Sequence, residues 1–208
     1  MPYTGLSSFI KVLEKEDCLH RIKIFVNPLL DIAEIADRAF QSGGKALLFE
    51  NNGTKFPILI NAFGSDKLIS LALSQSEISQ TSVEIEQIFK LLTNAKGSFK
   101  DKISSLPLLL TVSKYLPSTS HKKGKCQETI IRNPDLSILP VLKCWPHDGG
   151  RFITLPIVHT SHPETGATNV GMYRMQIINP NTTALHWQRH KTGANHFEAW
   201  KMKRRKMP

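Results

Sequence analysis

A polar-rich stretch near the end of the chain, residues 168–194 (TNVGMYRMQIINPNTTALHWQRHKTGA), most constrains the fold. Its two apolar-rich runs are separated by the turn residues Asn179-Pro180-Asn181, a pattern typical of a β-hairpin. A hairpin would place the two runs side by side, so that their polar side chains could converge on one ligand. The same side chains could equally form the water-facing side of an antiparallel sheet. The local pattern leaves both interpretations open.

The first half of the chain predicts a mixture of helices and strands. An apolar stripe with helical spacing covers residues 6–13, and residues 20–26 alternate as a strand does. Asn27 is expected to cap a second helix with Pro28 at its first position, and Gly43-Gly44 to end that helix. This glycine pair is interpreted as a helix stop and not as a phosphate-binding loop.

Further elements follow before residue 116. Strands at residues 46–49 and 56–60 flank the hairpin-turn sequence Asn51-Asn52-Gly53. Residues 66–73 predict a helix, and the capping-box sequence Thr81-Ser82-Val83-Glu84 predicts the start of another. Together these elements predict a mixed α/β domain over residues 1–116.

The pattern changes after residue 116. Residues 117–127 are polar and basic without periodicity, which predicts an exposed linker. Residues 128–208 contain short apolar runs, at 130–142, 152–158, 171–178 and 184–189, broken by proline, glycine and asparagine as in an all-β unit. The chain as a whole is therefore predicted to be α+β.

The charge balance is strongly basic, with a formal net charge of +10 over 208 residues. A basic surface attracts phosphate, nucleic acid or anionic lipid. The charge is concentrated in residues 121–125 and near the C-terminus, where no aromatic side chains interleave with it to stack bases. Solvated segments are therefore favoured over a nucleic-acid site, and no nucleic-acid partner is expected.

Cysteine usage and the N-terminus bear on the compartment. Cys18, Cys126 and Cys144 are far apart and odd in number, so no disulfide framework or paired-cysteine metal site is indicated. The N-terminus lacks the basic and apolar regions of a secretory signal. These features predict a protein of the reducing cytoplasm.

Several short sequence motifs in the last third of the chain resemble one known family. They are Asn133-Pro134-Asp135-Leu136, Cys144-Trp145-Pro146, Asp148-Gly149-Gly150, Asn169-Val170-Gly171-Met172-Tyr173-Arg174 and His186-Trp187-Gln188-Arg189-His190. The chain resembles the UbiD family of decarboxylases, which use prenylated FMN. MYRMQ and HWQRHKTGA are most similar to the branch linked to menaquinone biosynthesis. The resemblance implies that residues 128–208 form the first, incomplete part of a split β-barrel of FMN-binding type.

The resemblance also implies roles for individual residues. Decarboxylation leaves electrons on carbon, and a cofactor must accept them because no ordinary side chain can. Arg174 is the expected catalytic residue, since a guanidinium stays charged and binds a carboxylate through two parallel hydrogen bonds. The expected cofactor-binding residues are Met172, Tyr173, Arg174, His186, Trp187, Gln188, Lys191 and Thr192, the last two near the phosphate. Trp187 could also be a core residue.

Asn169 and His190 are the metal ligands that the resemblance implies, with Mn²⁺ or another divalent cation bridging to the cofactor phosphate. An amide oxygen and an imidazole suit such an ion. Taken alone, Asn169 reads as a turn residue and His190 as a surface histidine. Asn169 and Arg174 would point to opposite faces of a regular strand, so a bulge or kink near Gly171 is predicted.

The expected function is that of a carboxy-lyase acting on an aromatic acid in menaquinone or ubiquinone biosynthesis. Members of the family are much longer, and their third metal ligand and acid–base carboxylates lie beyond the equivalent of Pro208. This chain alone is therefore predicted to be a poor or inactive decarboxylase, and its open strand edges invite a partner. The full-length family implies a homo-oligomer, and a second chain could supply the missing part. The alternatives are a non-catalytic flavin- or phosphate-binding subunit and, ranked last, a basic nucleic-acid-binding domain.

Overall fold

The structure, a computed structural model, describes residues 3–93, 110, 113 and 121–208, and it mixes helices with open sheets. Its helices and strands in chain order are α1 (Leu6–Lys15), β1 (Leu19–Phe25), α2 (Asp31–Gln41), β2 (Ala46–Asn51), β3 (Ile58–Ile60), α3 (Asp66–Leu73), α4 (Ile78–Thr93), β4 (Phe152–Ile153), β5 (Ile157–Ser161), β6 (Thr168–Met172), β7 (Met175–Asn179), β8 (Thr182–Leu185) and α5 (Thr192–Met202). No helix in this described part is long and apolar enough to cross a membrane.

The strands form three small sheets, with the orders β1-β2-β3, β4-β7-β8 and β5-β6. The two predicted hairpins are confirmed. β2 pairs antiparallel with β3 across a turn in which Gly53 has a φ of 84°, and β7 pairs antiparallel with β8 across Pro180 and Asn181. The described strands do not close into a barrel, so the split β-barrel stays a prediction.

The chain divides into two compact units that each combine separate stretches of sequence. One unit comprises Met1–His20, Gly43–Ala46 and Asn61–Arg132, and the other comprises Arg21–Ser42, Leu47–Ile60 and Asn133–Pro208. The predicted domains 1–116 and 128–208 remain a prediction. Of the predicted linker 117–127, residues 117–120 lie outside the described part, and residues 121–127 are exposed.

Each unit has its own apolar core. In the first unit Leu13 and Leu68 are almost fully buried, and the Phe9 ring contacts the rings of Tyr3 and Phe63 at centroid distances of 5.1 and 6.5 Å. The helix predicted over residues 6–13 is confirmed, and Phe9 and Leu13 of its apolar stripe are buried, whereas Leu6 is exposed. The core of the second unit is a cluster of Val26, Ile32, Leu47 and Phe49.

Two predicted helix starts are wrong. α2 begins at Asp31 and not at Pro28, because residues 28–30 pair with Lys143: Leu30 N–H donates to the Lys143 carbonyl at 2.9 Å. The Asn27 side chain instead accepts a bond from Leu29 N–H. α4 begins at Ile78, so the predicted capping box, residues 81–84, lies inside the helix.

The last third contains a helix where only strands are predicted. α5 (Thr192–Met202) buries Gly193, Ala194 and His196, so its inner face is small and polar and carries no apolar stripe to reveal it. The apolar run at residues 130–142 forms a short 3-10 turn, Leu136–Ile138, and no strand. α5 packs against β5 and β6, which positions the candidate site.

Candidate functional site

An open groove of about 590 Å³ lies in the second unit. It is lined by the end of β6, the connection from β6 to β7, and the segment between β8 and α5: Gly171, Met172, Tyr173, Arg174, His186, Trp187, Gln188 and Lys191. Seven of the eight predicted cofactor-binding residues therefore line one groove. Thr192, the eighth, is the first residue of α5 and is exposed.

The β7–β8 hairpin brings the two lining runs together. Met175 pairs with Leu185, and one residue further out the His186 N–H donates to the Arg174 carbonyl at 3.0 Å. The run that follows β8 is thereby held beside the run that precedes β7. This is the arrangement that the turn residues Asn179-Pro180-Asn181 predict.

The chain changes sheets between Asn169 and Arg174. Gly171 pairs with Val158 in an unbroken β5–β6 register, so of the predicted bulge or kink near Gly171 the bulge is absent. The redirection comes two residues later, where β6 ends at Met172 and β7 begins at Met175 in another sheet. Asn169 and Arg174 consequently belong to different strand surroundings.

Tyr173 sits at this redirection, and two glycines make room for its ring. A Cβ on Gly171 would lie 2.5 Å from a Tyr173 ring carbon, and a Cβ on Gly193 would lie 2.9 Å from another. The ring is 8% exposed and meets the Trp187 ring edge-on at 5.7 Å. Trp187 also packs against Phe197, at a centroid distance of 5.6 Å.

Neutral hydrogen bonds hold the Asn169 end of the site. The Asn169 amide nitrogen donates to the Thr160 hydroxyl at 3.4 Å and to the Tyr173 hydroxyl at 3.3 Å. The Tyr173 hydroxyl also accepts a bond from the Gly193 N–H in the first turn of α5, at 3.1 Å. Thr160 lies 2.9 Å from Nδ1 of His196, and both residues are buried. Sequence reasoning missed Thr160 and His196, which no motif marks.

An ion pair holds the Arg174 end. The guanidinium donates to the two carboxylate oxygens of Asp148 at 3.0 and 2.8 Å, and it lies 3.8 Å from the centre of the Phe152 ring. The hydrogen bond from Arg174 lowers the pKa of Asp148, and the same bond raises the pKa of Arg174. Burial raises the pKa of the neighbouring Cys144 thiol. Asp148 belongs to the motif Asp148-Gly149-Gly150, but nothing in the sequence marks it as the partner of Arg174.

His190 lies outside the groove, in the exposed turn that precedes α5. Asn169 is also outside the groove lining. The Tyr173 hydroxyl accepts hydrogen bonds from both the Asn169 amide and the Gly193 N–H, and so links Asn169 to the first turn of α5, which follows His190. Within residues 3–93 and 121–208 there is no cluster of three or more His, Cys, Asp or Glu residues that could hold a metal ion. Asn169 and His190 remain predicted side-chain ligands of a metal ion.

The lining fits a phosphate-bearing aromatic ring system. The volume is within the range of about 300–1,000 Å³ that is usual for small-molecule sites. Tyr173 and Trp187 offer aromatic surface, and Arg174 and Lys191 offer positive charge. Lys191 directly precedes α5, whose first-turn N–H groups favour an anion. For Asn169, both hydrogen bonds use the amide nitrogen, so its oxygen is the atom a cation would meet.

These features define a protein of mixed helices and open sheets with an open groove lined by aromatic and basic side chains. Two models of known protein families match the chain. The family model described as the 3-octaprenyl-4-hydroxybenzoate carboxy-lyase N-terminal domain matches residues 10–87, and the model of the Rift-related domain of the same carboxy-lyase matches residues 118–208. The chain belongs to the UbiD family.

Similar proteins extend this result. The chain is 41% identical over 198 residues to an uncharacterized protein of Archaeoglobus fulgidus, covering 95% of this chain and 40% of the relative. It is 44% identical over 206 residues to an uncharacterized protein of Aquifex aeolicus, covering 97% of this chain and 41% of the relative. The chain thus spans about two fifths of the length of these relatives.

Solved structures share the fold. The closed form of vanillic acid decarboxylase from Sedimentibacter hydroxybenzoicus matches with a TM-score of 0.76 and 26% identity, over 100% of this chain and 42% of that one. An evolved dimeric form of the UbiD-class enzyme HmfF from Pelotomaculum thermopropionicum, in complex with prFMN, matches with a TM-score of 0.71 and 22% identity, over 99% of this chain and 43% of that one.

Proposed function

We propose that this chain forms the cofactor-binding part of a carboxy-lyase that removes carbon dioxide from an aromatic acid, with prenylated FMN and Mn²⁺ as cofactors. The observation that most supports this proposal is that two separate runs of sequence bring seven expected cofactor-binding residues to one groove. The vanillic acid decarboxylase and the prFMN complex among the structural relatives support the reaction class and the cofactor. The family description, a 3-octaprenyl-4-hydroxybenzoate carboxy-lyase, supports an aromatic acid as the substrate, and we propose that this acid belongs to menaquinone or ubiquinone biosynthesis.

Each part of the groove has a role in this proposal. When bound, the flavin would supply the sink for the electron pair that remains on the substrate carbon as carbon dioxide leaves. Met172, Tyr173 and Trp187 would pack on its rings, with His186 and Gln188 as polar neighbours. Lys191, Thr192 and the start of α5 would hold its phosphate. Asn169 and His190 would hold the metal beside that phosphate.

Arg174 would position the substrate acid. Asp148 takes one N–H from each terminal nitrogen of the guanidinium, and three N–H groups remain to bind a second carboxylate. The ring of Phe152 lies against the guanidinium and restricts its orientation. Because the Arg174 bond lowers the pKa of Asp148, that carboxylate stays ionised at neutral pH and is a poor proton donor to the product carbon. We therefore do not assign the role of general acid to Asp148, and we propose little turnover by a chain that spans about two fifths of the length of its relatives.

The test reconstitutes the purified chain with prenylated FMN and Mn²⁺. Retained flavin absorbance after desalting, with little carbon dioxide release from a panel of aromatic acids, is the expected result. Loss of the flavin on desalting would contradict the proposed groove. Robust turnover by the chain alone would show that no outside acid is needed.

Arg174→Lys separates acid binding from flavin binding. A lysine loses the planar, bidentate contact, and hydrogen bonds to charged groups are worth about 1.5–3 kcal/mol, or about 10- to 100-fold in affinity. The measurement is the quenching of bound-flavin fluorescence by an aromatic acid, with Arg189→Lys as the matched control, because Arg189 is exposed and outside the groove lining. We expect weaker acid binding in Arg174→Lys but not in Arg189→Lys. Both variants should retain the flavin, because a lysine at position 174 keeps the positive charge of the groove and leaves its other lining residues in place.

One observation favours the second candidate, a flavin-binding subunit without acid binding. Arg174 already has a bidentate carboxylate partner in Asp148. If the wild-type chain retains flavin and its fluorescence does not respond to any aromatic acid, this second function replaces the first for the isolated chain.

A further inference from the structure

His196 is a buried imidazole that no part of the proposed reaction uses. It lies on the inner face of α5 and is 5% exposed. Its Nδ1 is 2.9 Å from the hydroxyl oxygen of Thr160, a residue of β5 that is 4% exposed. Thr160 is paired with Asn169 in the β5–β6 register. The imidazole is therefore one hydroxyl group away from a proposed metal ligand.

The direction of these hydrogen bonds depends on one proton. A threonine hydroxyl has one hydrogen to donate and two lone pairs to accept with. If His196 Nδ1 carries no proton, the Thr160 hydroxyl donates to it, and a Thr160 lone pair accepts the Asn169 amide N–H. If Nδ1 carries the proton, it donates to Thr160, and the Thr160 hydrogen is free to bond an amide oxygen instead.

The orientation of Asn169 follows from that choice. A side-chain amide has a donor end and an acceptor end of nearly the same shape, so packing alone barely distinguishes them. With the nitrogen bonded to Thr160 and Tyr173, the oxygen is left to meet a cation. With the amide reversed, the cation would meet an NH₂ group, which cannot ligate it.

We propose that His196, acting through Thr160, is a positioning residue that fixes the Asn169 amide with its oxygen toward the metal. His196 is the neutral tautomer with its proton on Nε2, and Thr160 transmits that choice. This inference rests on the proposed function for its purpose, but the orientation itself is a property of the metal-free chain. Partners that orient a metal ligand are typically worth 10- to 100-fold in metal affinity.

The first experiment tests the orientation without any metal or flavin. Long-range ¹H–¹⁵N spectra of the full chain, assigned with His196→Asn as the reference, report which ring nitrogen carries the proton. We expect the Nε2–H tautomer, with Nδ1 unprotonated. An Nδ1–H tautomer would overturn the proposal, whatever the metal does.

The second experiment measures Mn²⁺ affinity in the presence of FMN, from the electron paramagnetic resonance signal of free Mn²⁺. Thr160→Val keeps the shape of the side chain but removes the hydroxyl, and we expect Mn²⁺ binding to weaken by about tenfold or more. Thr160→Ser keeps the hydroxyl and should restore most of the affinity. His196→Asn keeps an acceptor near the position of Nδ1 and should bind Mn²⁺ better than His196→Leu.

The control variant is His159→Asn, at the neighbouring position of β5. His159 is exposed and its side chain lies on the opposite face of the strand, paired with Val170. All variants are compared well below their unfolding temperatures, so a purely structural role would lower stability without changing the affinity of the folded protein. Unchanged Mn²⁺ affinity in folded Thr160→Val would overturn the positioning role.

The metal site and the positioning role of His196 can be refuted independently of each other. If the wild-type chain binds FMN but takes up no Mn²⁺, the proposed metal site is wrong, and the tautomer measurement still decides whether His196 sets the amide. If Mn²⁺ binds and the tautomer is Nδ1–H, the metal site stands and the positioning role of His196 is wrong.

Discussion

The two ends of the candidate site are held in contrasting ways. At one end Arg174 is tied to Asp148 by a charged pair, and their side chains are 34% and 12% exposed. The other end is a largely buried hydrogen-bond network formed by Asn169, Thr160, Tyr173 and His196. Water can replace partners at the first end, whereas a buried polar group that loses a partner has no substitute. The Arg174–Asp148 pair is therefore an exchangeable contact, which suits the proposed binding of a substrate acid. The network around Asn169 is rigid, which suits its proposed role as a metal ligand.

Gly171→Ala is expected to have the largest effect, because it acts on the rigid end through packing. The added Cβ would lie 2.5 Å from the Tyr173 ring, which is itself confined by Gly193. Overpacking of this kind costs about 1–3 kcal/mol, and the free energy of unfolding measured in urea should fall by an amount in the upper part of that range. Gly124→Ala is the control, since Gly124 has a φ of −71° that alanine adopts readily, and a Cβ there would meet the Cys126 sulfur only at 3.4 Å. Equal stability of the two variants would show that Tyr173 is not tightly held.

Tyr173→Phe is expected to have a smaller effect at the same end. It keeps the ring but removes the hydroxyl that accepts the Gly193 N–H and contacts Asn169. A buried donor left without its acceptor costs about 1–3 kcal/mol, and we expect about 1 kcal/mol because the Tyr173 ring and its packing are retained. The check is urea unfolding together with Mn²⁺ affinity. A fully stable variant with unchanged affinity would mean that the hydroxyl neither caps α5 nor positions Asn169.

Asp148→Asn is expected to have the smallest effect on stability, because partly exposed ion pairs are weakened by water and salt. Its signature is pH dependence. The Arg174 bond holds the pKa of Asp148 below its usual value in the folded chain, so the stabilisation is present above the ordinary carboxyl pKa and is lost as pH falls through the lowered pKa. The unfolding temperature of Asp148→Asn should therefore be below that of the wild type at neutral pH, with the difference shrinking in acid.

A matched control for this pair is Glu34→Gln, which removes an exposed helical ion pair with Arg38 in the same unit. We expect it to change the unfolding temperature at neutral pH less than Asp148→Asn does, since Arg38 lacks the aromatic ring that supports Arg174. A difference between wild type and Asp148→Asn that stays constant from neutral to acidic pH would argue that Asp148 acts through shape and not through charge.

Much of the groove could be anticipated from the sequence. The turn residues Asn179-Pro180-Asn181 act locally, so the β7–β8 hairpin that joins the two lining runs follows from neighbouring residues alone. Of the eight cofactor-binding residues expected from the family motifs, seven line the groove. The roles of Asn169 and His190 as metal ligands remain predictions.

Local sequence determined the hairpin turns, the apolar stripe of α1 and most of the residues that line the groove, because each depends on side chains that are close along the chain. Only the tertiary structure decided the start of α2, the helix α5 and the partners at the two ends of the candidate site. Asp148 and Arg174 are 26 positions apart, and Thr160 and His196 are 36 positions apart. Hydrogen bonds over such separations exist only once the strands and α5 have packed, so no local pattern carries them.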